Sequence, residues 1–202
     1  PAAVGNDCSR RRAEEAELLR AVAEAAGTIM TTEDDMKPVL GLIGKLMKSG
    51  AVWLNVLDER TGNLITHPHF VYGRQLNEPL VQNAYAPGFE YSVAISRRPF
   101  ISNDVLNDKR VLPSYRELSV QMNIHKACMV PLSVGDLALG ELGVMEREQD
   151  YTAEDVQLLS VVAIQVAGAL DRIRLYEASG ENLRRRLQEL DAIQRVSNEL
   201  AQ

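Results

Sequence analysis

The sequence predicts an α+β domain: a central antiparallel sheet of about five to six strands with flanking helices, carrying long helices at its two ends. Three observations lead to that class. Apolar residues recur at spacings of three and four near both ends of the chain. The middle alternates short β-like runs with turn clusters at hairpin distance, which favours antiparallel pairing. Short helical stretches interrupt those runs, so helices gather on the faces of the sheet.

Residues 1–9 read as a disordered leader, and residues 10–30 as an amphipathic helix in which Leu18, Leu19, Val22, Ala26 and Ile29 share one face. Thr31-Thr32-Glu33-Asp34-Asp35 offers a hydroxyl cap and early acids for a second helix through Met36, Val39, Leu40, Ile43, Leu46 and Met47. Ser49-Gly50 ends that helix. Ala51 to Leu57 alternates as a strand, with Val52, Leu54 and Val56 on one side and Trp53 and Asn55 on the other. After the turn cluster at 58–63, Leu64 to Tyr72 returns as a strand that Pro68 confines to an edge or bulge. Gly73 to Gly88 reads as a long loop, Phe89 to Ser96 as a short helix and Phe100-Ile101-Ser102 as a short strand. Pro113 suits the first turn of a helix running through Tyr115, Leu118, Val120 and Met122. Ala127 to Leu132 and Leu137 to Met145 form a hairpin around Gly135-Asp136, and Thr152 with Asp155 opens the last helix.

Composition narrows the function classes. The chain has 202 residues, 46% hydrophobic and 25% charged, with a net charge of -6. That balance supports one soluble core rather than a nucleic-acid surface, whose affinity rests on a basic stripe. The two dense basic runs, Arg10-Arg11-Arg12 and Arg184-Arg185-Arg186, sit among glutamates and read as solvated helix faces. Two cysteines, Cys8 and Cys128, suit a reducing, cytoplasmic setting better than a disulfide scaffold. No apolar run approaches the roughly 20 residues of a membrane span, and no signal peptide is evident. The chain opens on Pro1 rather than Met, which suits a segment of a longer protein.

Several segments in fixed order resemble the GAF family of sensory domains. They are Arg97-Arg98-Pro99-Phe100-Ile101-Ser102-Asn103-Asp104, Ala127-Cys128-Met129-Val130-Pro131-Leu132, Leu139-Gly140-Glu141-Leu142-Gly143-Val144 and Tyr151-Thr152-Ala153-Glu154-Asp155. The resemblance runs from about Met36 to Glu177 and implies a GAF domain at 31–177, with a GAF/PAS-like sheet. It also implies a pocket between the sheet and the small helices, walled by Trp53, Phe89, Val93, Asn103, Asp104, Tyr115 and Leu118. Cyclic-nucleotide-binding members carry an Asn-Lys pair after the fifth strand. Glu146-Arg147 stands there in this chain, which weakens that reading. Gly140 and Gly143 allow close approach to the sheet, by a packed helix or by a ligand.

Redox and metal readings remain as minor alternatives. His67, His69, His125 and Cys128 are ligand types for zinc or another transition metal, but His125 and Cys128, three apart, fall on opposite faces of a strand. Cys128 is not followed by His, as a common bilin attachment site would be. The free methionine sulfoxide reductases of this family use several cysteines, whereas only Cys128 lies in this domain. No catalytic residue and no metal site is assigned, and no cofactor is specified.

The final helix carries a heptad seam of Val162, Val166, Ala169, Ile173 and Tyr176, continued by Leu183, Leu187 and Leu190. Residues 178–202 are thus expected to form a signalling helix that pairs with a second copy. From Leu190 the register shifts to Ile193, Val196 and Leu200, which echoes Leu19, Val22, Ala25 and Ile29 and suits the start of a second module. The function expected is a sensory GAF domain that reports a small molecule through dimeric helices to an output domain such as a histidine kinase, diguanylate cyclase or transcription regulator. The alternative is a ligand-free GAF domain serving dimerisation or protein contact.

Overall fold

The structure, a computed structural model, describes residues 2–29, 36–85 and 92–200. Two helices open the fold: α1 (Ala2–Gly27) and α2 (Lys37–Met47). The first strands are β1 (Ala51–Asp58), β2 (Asn63–Thr66), β3 (Val71–Tyr72) and β4 (Leu80–Asn83). Then come α3 (Val93–Ser96), β5 (Phe100–Ser102), α4 (Pro113–Met122), β6 (Ala127–Val134), β7 (Leu137–Met145) and α5 (Ala153–Leu200). The strands form one antiparallel sheet in the order β4-β2-β1-β7-β6-β5, with β3 also paired to β1.

The period-2 pleat gives this sheet two unlike faces. Val52, Val144 and Cys128 lie side by side across β1, β7 and β6, as do Leu54, Leu142 and Val130. These rows are buried against apolar residues of α1, α2 and α5, including Val22, Leu40, Ile43, Val162 and Val166. The opposite rows begin with Ala51, Met145 and Ala127 and carry the candidate site.

Several expectations need correction. Helix α1 already begins at Ala2, so residues 2–9 are helical rather than a disordered leader. The Ala-rich stretch offers no Pro after Pro1 to stop propagation from the Ala/Glu/Arg run behind it. The supposed return strand Leu64 to Tyr72 is broken by a 3₁₀ turn at Pro68–Phe70, which Pro68 favours at its first position. Leu80-Val81-Gln82-Asn83 was read as loop but pairs with β2 as an edge strand, half buried, where its weak apolar alternation suffices. The cap expected at residues 31–35, and Phe89, lie outside the described residues.

Gly140 is needed for a reason other than helix packing. Its φ is +147°, and an added Cβ would fall 2.0 Å from the Asn55 carbonyl oxygen of the neighbouring strand. It sits beside a register shift between Leu132 and Ser133.

Helix α5 starts as a capping box. The Asp155 carboxylate accepts the backbone N–H and the hydroxyl of Thr152 at 2.7 and 2.9 Å. The Arg147 guanidinium binds the same carboxylate through two nitrogens, at 2.8 and 2.5 Å, stacks over the Tyr151 ring and donates to the Met47 carbonyl at the end of α2. Burial works to raise the Asp155 pKa, but Arg147 and Thr152 hold it below the ordinary carboxylate value.

Val162, Val166, Ala169 and Ile173, expected at a dimer seam, are instead 0 to 2% exposed inside the protein's own core. A helix face that packs on a sheet and one that packs on a partner helix share the same spacing, so periodicity alone does not separate them. Tyr176 is exposed where α5 leaves the core. Leu183, Leu187 and Leu190 lie outside the described side chains. Ala153–Glu181 is long and apolar enough by composition to cross a membrane, which the sequence reading did not anticipate, but its buried positions belong to this core. Gly180 does not interrupt the helix.

Gly140→Ala is expected to destabilise the fold by about 3 kcal/mol or more, read from urea unfolding, because backbone rather than a movable side chain occupies the Cβ position. Asp155→Asn should cost about 2 kcal/mol at neutral pH. The Asp155 pKa is lowered in the folded state, so its contribution is present above pH 4 and lost as pH falls through the folded value. The wild-type urea midpoint should therefore approach that of Asp155→Asn as the pH falls below 4.

Candidate functional site

The second face of the sheet forms the floor of a cavity. Strand pairing sets Trp53 beside Gly143 and Gly143 beside Met129, and in the next row Asn55 beside Glu141 and Glu141 beside Pro131. Gly143 contributes no side chain, and the Met145 and Met129 side chains close over it. A Cβ there would meet the Met145 Cε at 3.0 Å and the Met129 Cγ at 3.3 Å. The roof comes from Ser92 and Val93 at α3, Tyr115, Leu118 and Ser119 of α4, and Val105, Arg110, Val111 and Leu112 of the loop between β5 and α4. Ser92 accepts the Ile95 N–H and so sets the start of α3, while Pro113 opens α4. The cavity volume is about 80 Å³.

Glu141 organises this space. Its side chain lines the cavity at 1% exposure. Its carboxylate accepts the Asn55 amide at 2.8 Å, the Ala94 backbone N–H at 3.0 Å and the Tyr115 hydroxyl at 2.7 Å. The Asn55 carbonyl oxygen in turn accepts the Thr66 hydroxyl. One side chain on β7 thus ties β1, α3 and α4 together. Burial, and then the Glu141 charge, push the Tyr115 phenol well above its usual pKa, so it stays a donor. The indole Nε1–H of Trp53 is buried and has no acceptor among the described residues.

Arg110 stands at the rim. Its guanidinium binds Asp108 at 2.7 and 3.0 Å, donates to the Ile101 carbonyl and stacks on the Phe100 ring. That guanidinium holds the Asp108 carboxyl well below the usual carboxylate range.

Of the residues expected in the pocket wall, Trp53, Val93, Tyr115 and Leu118 line the cavity. Asn103 and Asp104 do not. Asn103 exchanges two backbone hydrogen bonds with Tyr151, and the exposed Asp104 accepts the Asn107 amide. Short polar side chains in a loop are well suited to tying down nearby backbone, and these two do that. Asn55, Arg110 and Glu141 were missed. Asn55 shares the strand face of Trp53, and Glu141 is the single charge within an apolar strand, so both left a readable signal.

The other chemical candidates lie elsewhere. Cys128 is a free thiol on the opposite face, and burial pushes its pKa up to about 12, far from thiolate chemistry at neutral pH. His67 and His69 stack at 5.3 Å, and burial with the neighbouring His69 lowers the His67 pKa. Among the described residues no three His, Cys, Asp or Glu side chains converge as a metal site. Glu146 caps the backbone N–H groups of His125 and Lys126, and Arg147 holds Asp155, so neither lines the cavity.

No curated protein matches the chain in sequence. Its fold is similar to the GAF domain from an Acinetobacter phosphoenolpyruvate-protein phosphotransferase, at 15% identity over 80% of this chain and 95% of that one, with a TM-score of 0.64. It is similar to the free methionine-R-sulfoxide reductase from Neisseria meningitidis in complex with its substrate, at 12% identity over 80% and 90% of the two chains, TM-score 0.61. The phycocyanobilin-bound GAF domain from a cyanobacterial phytochrome gives 14% identity over 80% and 96%, TM-score 0.61. The family model described as GAF domain matches residues 32–170, the stretch that holds the whole sheet and its cavity, and the chain therefore belongs to the GAF domain family.

Proposed function

We propose that this GAF domain is a cytoplasmic sensor rather than an enzyme. It takes a small molecule into the cavity above β1, β7 and β6 and reports occupancy through α5 to an output module such as a histidine kinase, diguanylate cyclase or transcription regulator. The observation that carries this reading is the junction at Glu141, where one buried carboxylate joins the cavity floor to both roof helices. A ligand that repositions any of those donors moves β7, whose alternate residues Leu142 and Val144 pack in the core shared with α5. For that to signal, the ligand must bind two packings of α5 with different affinity.

Homodimerisation through the terminal helices completes the proposal. The face of α5 turned away from the core leaves Val161, Ile164 and Leu175 at 50, 67 and 52% exposure. Their offsets of three and eleven residues keep them on one heptad seam, distinct from the buried one. A second reading, a ligand-free GAF domain that only dimerises, is favoured by the small size of the cavity, below the several hundred Å³ of most ligand sites.

Native mass spectrometry of the purified protein distinguishes the two: a retained organic mass supports the sensor, whereas a clean protein mass throughout supports the scaffold. Ile164→Glu should leave thermal unfolding within about 0.5 kcal/mol of wild type, because the site is exposed, while shifting sedimentation from dimer to monomer. A wild-type chain that sediments as a strict monomer at high micromolar concentration would sink the dimer.

A further inference from the structure

We propose that the cavity is specific for a small primary ammonium ion that also carries a hydroxyl or carbonyl oxygen, with Glu141 as its anionic anchor and Trp53 as the donor to its oxygen. The proposal rests on the reading of the cavity as a ligand site.

The charge balance of the cavity leads to this class. Glu141 is buried at 1% exposure, and its three donors, an amide, a backbone N–H and a phenol, are all neutral. Among the described residues no Lys, Arg or His forms an ion pair with it. Arg110, the one cation among the described residues that line the cavity, is committed to Asp108, Ile101 and the Phe100 ring. A buried carboxylate without a counter-charge is costly, and such sites are paired in proteins. A carboxylate also has about four acceptor positions. Among the described residues two donors reach Oε1 and one reaches Oε2, which leaves Oε2 an acceptor position for a further donor. An ammonium N–H supplies both the missing charge and the missing donor.

The Trp53 indole supplies the second half of the specificity. Its Nε1–H is buried, 3% of the residue is exposed, and it has no acceptor among the described residues. Among the described residues the Asn55 amide, the Glu141 carboxylate and the Tyr115 hydroxyl already hold partners in one network, whereas the indole N–H does not, so the ligand must bring an oxygen for it. Size limits the stem between the two groups. The space of about 80 Å³ is roughly half the 150 Å³ that admits benzene, so a chain of two to four carbons fits and an aromatic ring does not. Val93, Leu118 and Ile124 give the stem apolar walls.

The test uses 3-aminopropan-1-ol as the probe, with 1,3-propanediol and 3-hydroxypropanoate as its neutral and anionic isosteres. Trp53 is the single tryptophan of the chain, so its indole N–H gives one side-chain resonance in a ¹H–¹⁵N spectrum and reports the cavity floor directly. The amine should shift that resonance saturably, binding at least about tenfold more tightly than the diol, as expected for one charge-assisted hydrogen bond, and the anion should not bind. Glu141→Gln should erase the preference for the amine over the diol. The isostere series on the wild-type chain decides the matter even where that variant fails to fold. Equal binding of diol and amine, or preferred binding of the anion, overturns the ammonium class and leaves the cavity a ligand site. No shift with any of the three overturns the class as well, and the native mass of the purified protein then decides separately whether the cavity holds another ligand.

Discussion

Glu141 enters the middle of a seven-stranded sheet with almost no contact with solvent, and a carboxylate there is stable only while its oxygens are met by donors. Much of the surrounding architecture follows from that requirement. Asn55 faces it from the adjacent strand, Tyr115 comes down from α4, and α3 presents the Ala94 N–H from its first turn. Elements that are distant in sequence are thereby fixed to one atom pair. The roof helices are short, and this polar junction acts with the apolar packing of Val93, Ala94, Tyr115 and Leu118 to set their height above the sheet.

The sheet separates two tasks by the alternation of its pleat. Along β7, Glu141, Gly143 and Met145 look into the cavity, while Leu142 and Val144 look into the core that holds α5. The two environments are therefore one residue apart along a single strand. Coupling between them needs no long chain of contacts, because a shift of β7 is felt on both sides at once. The start of α5 is anchored separately, by Arg147 and Thr152 on Asp155.

Much of the fold was legible in the sequence because its signals are local. Pro113 at the start of α4, the turn at Gly135-Asp136 and the Thr152–Asp155 box each act within a few residues. The misreadings arose where local pattern serves more than one tertiary outcome. Val162, Val166, Ala169 and Ile173 have the spacing of a dimer seam but fill the core. Leu80 to Asn83 is too polar to announce a strand, yet it needs only one paired edge. Gly140 was open to a helix or a ligand, and the neighbour turned out to be the backbone of β1. In the site, Trp53 and Tyr115 were recoverable as large side chains on the right elements. Glu141 was in view as a lone charge between two glycines, but its role depends on donors brought from three other segments, which no single stretch of sequence displays.

Helix α5 continues unbroken to Leu200, 27 residues past Ile173, the last buried position among its described side chains. At 1.5 Å per residue that projection reaches about 40 Å. Each residue also turns the helix by about 100°, so the residue count fixes the compass direction in which its far end faces. Two extra residues would swing that direction by about 200°, whereas seven would restore it to within about 20°. A rod of this kind fixes orientation as well as position, so its length in residues sets the direction in which anything joined to its far end would face.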